Sequence, residues 1–198
     1  QLVKERAADT PTGAVTLNLK TGGDLGDSHS WQFGLSYLHN RREALIEGVD
    51  SLDGSHADVH GARLSGKQTW MTDLVWKWAP DGNNRNQQLR LNWEYAQLSG
   101  INRYADSAMR HRASSLGAVW KFNPAWEAGV RADWLRVHQP EVHEGDVEFG
   151  RGRLKENAIM VAYKPTHMQT LRVQWTQQRA AGANDEGEAV FANPARRS

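Results

Sequence analysis

The 198-residue chain has no cysteine, which excludes disulfides and thiolate metal sites and leaves the redox compartment open. It also has no run approaching the roughly 18 consecutive apolar residues of a membrane helix, and its mean hydropathy is -0.70. Neither absence bears on a membrane β-barrel, whose strands are only half apolar and raise no hydropathy peak. A dominant charge is missing too. The 24 basic and 23 acidic residues are interspersed and leave a net charge of +1, so no single-sign patch invites nucleic acid. Glycine-rich phosphate loops are absent. Ser36, Ser65 and His39 are present, but nothing in their spacing fixes a nucleophile beside an oriented base, and the chain reads as a non-enzyme. The opening QLVKERAADTPTG carries neither an initiating Met nor the apolar stretch of an export signal, so residues 1–13 read as the loop remnant of an internal fragment.

Tryptophan is what the chain has in quantity. Trp31, Trp70, Trp76, Trp78, Trp93, Trp120, Trp126, Trp134 and Trp175 can all be placed on one side of short alternating strands whose other side is polar. Alternation begins at Val15, Leu17 and Leu19 and resumes at Trp31, Phe33, Leu35 and Tyr37 after the turn at 22–27. It continues through Trp70, Leu74, Trp76 and Trp78, then Leu89, Leu91, Trp93 and Tyr95 beyond Ala79-Pro80-Asp81-Gly82-Asn83-Asn84. That segment is dense in turn formers, proline presetting φ and Gly or Asn tolerating positive φ. Leu116, Ala118, Trp120 and Phe122 follow, and after Asn123-Pro124-Ala125 come Trp126, Ala128, Val130, Ala132 and Trp134. Ile159, Val161 and Tyr163, a turn at 164–167, and Leu171, Val173 and Trp175 close the series.

This pattern predicts an all-β fold: an antiparallel up-and-down transmembrane β-barrel segment of about eight strands, part of a larger barrel. Four hairpins fill residues 14–179, and 180–198 read as a loop leading to a missing strand. The indoles at 126 and 134 stand eight residues apart, roughly 26 Å along a strand, close to an apolar band about 25 Å tall. Connections at 39–66, 98–112 and 138–155 read as longer polar loops and those between them as short turns, the alternation of an outer-membrane barrel. Trp31, Trp76, Trp78, Trp120, Trp126 and Tyr163 then make a periplasmic girdle, with Tyr37, Trp70, Tyr95, Trp134 and Trp175 the outer one. A soluble antiparallel sandwich or lipocalin-like barrel would alternate similarly. Against it stand the many indoles, where cores prefer Ile, Leu and Val, and the sorting of loops by length.

Residues Gly22-Gly23-Asp24-Leu25-Gly26-Asp27-Ser28-His29-Ser30-Trp31-Gln32-Phe33-Gly34-Leu35-Ser36-Tyr37-Leu38 and Val75-Trp76-Lys77-Trp78-Ala79-Pro80-Asp81-Gly82-Asn83 carry a resemblance. They resemble a family of Gram-negative outer-membrane barrel proteins labelled porin-like or zinc-regulated TonB-dependent receptors, over most of residues 14–180. The resemblance implies an outer-membrane channel or receptor barrel for small solutes or metal ions. Its partners would be outer-membrane lipid, the barrel-assembly machinery and, in a full-length receptor, an energy-coupling protein. No plug-like region precedes the strands and the chain stops in the loop Asn193-Pro194-Ala195-Arg196-Arg197-Ser198, so it reads as roughly the C-terminal half of such a barrel.

Strand parity turns Lys20, Asp73, Lys77, Arg90, Glu94, Lys121, Glu127, Arg131, Asp133 and Arg172 to the side opposite the indoles, as a mixed-sign pore lining of weak selectivity. The same residues could instead pair across strands and only keep the interior wet. His56, Asp58 and His60 lie within five residues of a polar loop, types that suit transient capture of Zn2+, although the spacing matches no closed tetrahedral site. No resident cofactor is expected. The second functional reading is a barrel without conduction, adhesin-like or lipid-anchoring.

Overall fold

Every segment with period-two alternation is a strand in the computed structural model, which describes residues 13–40, 45–46, 62–63, 66–101, 109–143, 146–166 and 168–183. In chain order these are β1 (Ala14–Leu25), β2 (His29–Asn40), β3 (Leu45–Ile46), β4 (Ala62–Arg63), β5 (Gln68–Trp78), β6 (Gln88–Ser99), β7 (His111–Asn123), β8 (Trp126–His143), β9 (Asp146–Thr166) and β10 (Gln169–Ala183). Eight of them form one antiparallel up-and-down sheet in the order β1-β2-β5-β6-β7-β8-β9-β10, and β3 and β4 pair separately inside the first long connection. No ladder joins β1 to β10 among the described residues.

Several boundaries differ from the sequence reading, most by a residue or two where strands run into the expected loops. Gly22 to Leu25 belong to β1, and the turn is confined to residues 26–28. The loop expected at 138–155 is a ribbon, with β8 and β9 in continuous register from Val137↔Gly152 to His143↔Asp146. The alternation changes phase just before it: Leu135, Val137 and Leu154 lie on the face opposite the tryptophans while Arg136, Arg153 and Lys155 lie on the tryptophan face, so no continuous hydropathic period joins the ribbon to the rest of β8 and β9. β10 runs to Ala183, four residues into the segment expected to be loop.

The short turns are held by side chains that stand in for missing ladder bonds. Asn123 Oδ1 accepts from the backbone N–H of Ala125 and of Trp126, an Asx-type closure of the β7–β8 turn. The Ser28 carbonyl accepts from Ala79 N–H and its hydroxyl from Asp81 N–H, fastening the β1–β2 turn to the 3-10 turn Pro80–Gly82 after β5.

Register assigns each strand residue a face, because the side-chain period is two. All nine tryptophans fall on one face. Six of the indoles are exposed and Trp31, Trp76 and Trp78 are half-buried. Every other exposed large hydrophobic side chain shares that face except Met71, on the opposite face, and Met168, in a turn. No second layer of described residues covers it. The buried hydrophobic residues among those described are Ala79, Ile101, Ala158 and Ala162, so the sheet has no core of the sandwich kind.

The opposite face is concave. A cavity of about 620 Å3 is lined from seven strands, Lys20 on β1 through Glu156 on β9. Crowding on the inside of a curved sheet explains its small residues. A Cβ on Gly34 would come 2.3 Å from the Asp73 carboxylate, and one on Gly117 would come 2.7 Å from the Asn92 side-chain oxygen.

Most aromatic residues on the tryptophan face form two edges, each carrying a direct cross-strand pair, while Phe33 and Trp93 lie between the edges. Tyr37 and Trp70 are register partners with ring centroids 4.4 Å apart, and Trp126 and Tyr163 are partners at 4.6 Å. Both edges drift across the ladder in the same sense. The register row through Trp175 reaches β2 at Trp31, six residues from Tyr37. Over six strand steps that is a slide of about 20 Å along the strands against about 29 Å across them, an inclination of roughly 35°. The same row crosses β9 at Ile159, four residues from Tyr163, so the other edge slides likewise. The strands are therefore tilted relative to the apolar band, as barrel strands tilt against a barrel axis.

Candidate functional site

The concave face collects the ionisable side chains. Lys20, Asp73, Lys77, Arg90, Glu94, Lys121, Glu127, Arg131, Asp133 and Arg172 all lie on it, because each sits one position away in register from a residue of the tryptophan face. Its charges are partly sorted along the strands, with Lys20 in an otherwise acidic row and Asp24 and Glu127 among the cations nearer the short turns. One register row passes from Lys20 through Asp73, Glu94, Asp133 and Glu156 to Gln178, and four of its members are carboxylates. Asp73 directly opposes Glu94, and Asp133 directly opposes Glu156, arrangements that cost stability unless a cation answers them.

Arg131 answers the second pair. Its Nε lies 2.7 Å from Asp133 Oδ2 and its Nη2 2.6 Å from Glu156 Oε1, so one guanidinium bridges two facing carboxylates. Asp73 and Glu94 have no ion-pair partner among the described residues. Four residues further along β5 and β6, toward the short turns, Lys77 faces Arg90, a cationic pair. Beyond it Lys121 opposes Glu127, and the Glu127 carboxylate accepts from Lys164 Nζ at 2.5 Å. The face thus carries an acidic row across its middle and a mostly basic zone at the short-turn end.

Glu156 and Lys164 were missed in the sequence reading. Glu156 adjoins the segment taken as loop, yet counting back in twos from Ala158, inward because Ile159 points outward, would have found it. Lys164, which the sequence pattern places in a turn, belongs to β9. His56, Asp58 and His60 lie outside the described residues. No group of three or more His, Cys, Asp or Glu able to hold a metal occurs among the described residues.

At the long-connection end, beyond the apolar band, two histidines lock β7 to β8. The His138 backbone N–H donates to His111 Nδ1 at 3.1 Å. His138 Nδ1 lies 3.2 Å from the Arg110 carbonyl, which can only accept, so that nitrogen carries the proton. Burial and the neighbouring His138 push the His111 pKa below its ordinary value.

Comparison with known protein families, characterised proteins and solved structures finds no match. No helix among the described residues is long and apolar enough to cross a membrane, which says nothing about strands.

Proposed function

We propose that this sheet is wall of a bacterial outer-membrane barrel, its tryptophan face in lipid and its concave face lining a passage for small solutes or metal ions. One observation carries the reading: an uncovered apolar face bounded by two aromatic edges that run parallel and cross the strands at a slant. A flat boundary on each side of a bilayer imposes that geometry on tilted strands, whereas a protein partner would impose no such pair of lines. Between Trp126 and Trp134 the strand covers roughly 26 Å, or about 22 Å along the normal after a tilt of about 35°. That matches an apolar band of about 25 Å.

In lipid, free N–H and C=O groups on β1 and β10 would each cost several kcal/mol, so further strands are expected to pair them. A wider cylinder also serves the passage, since eight strands closed on themselves have an interior barely more than filled by side chains. His56, Asp58 and His60 enter this reading as a capture point for a divalent cation, on their sequence spacing alone.

The test is reconstitution into planar bilayers and into vesicles holding brominated lipid. Quenching of the tryptophan emission together with a single-channel current is the expected outcome. Unquenched emission would overturn the membrane assignment, and quenching without current would turn the reading to a barrel that does not conduct.

A further inference from the structure

Charge is divided between the two faces of the sheet as well as along one of them. Among the described strand residues the tryptophan face carries no carboxylate at all. Its charged side chains are Arg112, Arg136, Arg151, Arg153, Lys155 and Arg179, all exposed and all at the long-connection end of β7 to β10. None has an ion-pair or hydrogen-bond partner among the described residues. Arg112, Arg136 and Arg153 are consecutive partners in one register row, so three like charges stand side by side. Such a row is destabilising by itself, and none of the described residues neutralises it.

The position of these cations says what does. Arg136 lies two residues beyond Trp134, about 7 Å along the strand, and Lys155 is the register partner of Trp134. The headgroup layer of a bilayer occupies about 5–8 Å on each side of the hydrocarbon. The short-turn end of the same face has no cation among the described residues.

Resting on the membrane reading above, we infer that Arg112, Arg136, Arg153 and Lys155 form a docking surface for the phosphate groups of a lipid in the leaflet at the long-connection end. Planar guanidinium groups match phosphate oxygens two at a time, and the aliphatic and indole surface directly below receives the acyl chains. A nucleic acid would meet the same charges but would leave that apolar surface uncovered.

The experiment uses vesicles of phosphatidylcholine doped either with bisphosphorylated lipid A or with its dephosphorylated form. Flotation reports insertion, and native mass spectrometry after gentle extraction reports the retained lipid. The wild type is expected to retain the phosphorylated lipid in preference to the dephosphorylated one. The Arg136→Gln/Arg153→Gln/Lys155→Gln variant should float equally but lose that preference by at least about tenfold, while Arg136→Lys/Arg153→Lys keeps most of it. Equal retention by wild type and the glutamine variant, or no preference for phosphate in the wild type, overturns the inference and leaves the membrane reading standing. Failure to float with any vesicle overturns both.

Discussion

Trp126 and Tyr163 stand opposite each other on β8 and β9 with ring centroids 4.6 Å apart and planes inclined by 35°. Packed aromatic partners contribute about 0.5–1.5 kcal/mol beyond their buried area. A double-mutant cycle on Trp126→Ala and Tyr163→Ala, read by urea unfolding in liposomes, should return a coupling of that size. Additive losses would mean that the rings are held by their surroundings and not by each other.

Val130 lies midway between Trp126 and Trp134 on the uncovered face and is 56% exposed. In a water-soluble sheet Val130→Arg at so open a position would change stability by no more than about 0.5 kcal/mol. At the midplane of a bilayer the same change costs about 2–4 kcal/mol. Unfolding free energies measured in liposomes are expected to show the larger loss.

Much of this was legible beforehand, and the reason lies in which strands have two unlike faces. From Trp126 to Trp134 charged or glycine positions alternate with apolar ones, so both the strand and its inward set Glu127, Arg131 and Asp133 can be read from parity. At Leu135-Arg136-Val137 and Arg153-Leu154-Lys155 the parity inverts, apolar residues falling opposite the tryptophans and cations beside them, and this break in phase hid the β8–β9 ribbon and, beside it, Glu156. Sorting of charge into rows was hidden for another reason. It depends on which residue of β5 meets which of β6 or β8, and register is set by turn geometry over the whole hairpin. Asp73 and Lys77 read as a mixture along one strand but become separate rows once Glu94 and Arg90 are placed opposite them.

His111 gives the long-connection end a dependence on pH. Its Nδ1 accepts from the His138 N–H, and a protonated imidazole has no acceptor there. Because burial lowers the folded-state pKa, the unfolded chain takes up the proton first as the pH falls. Stability from this group is complete above the ordinary histidine value of about 6.5 and is lost as the pH falls from there through the lowered folded value. Hydrogen exchange, corrected for intrinsic rates, should therefore quicken at the start of β7 between about pH 7.5 and 5.5. His111→Gln should flatten that response, and an unchanged slope in the variant would remove His111 as its origin.

The two facing carboxylate pairs on the concave side predict opposite responses to mutation. Asp133 and Glu156 are bridged by Arg131, so Arg131→Gln removes two short ion pairs and leaves like charges opposed. With the guanidinium half-exposed, the loss should be modest, about 1–2 kcal/mol. The freed carboxylates should also shift the zero-current potential across a salt gradient toward cation selectivity, since carboxylate-lined pores favour cations. Arg131→Gln/Glu156→Gln should restore the original potential. Asp73 and Glu94 have no such bridge, so Asp73→Asn relieves repulsion without breaking a bond and should be neutral or slightly stabilising, with the potential moving toward anions. If both substitutions move the potential in the same direction, the acidic row does not face the conducted ions.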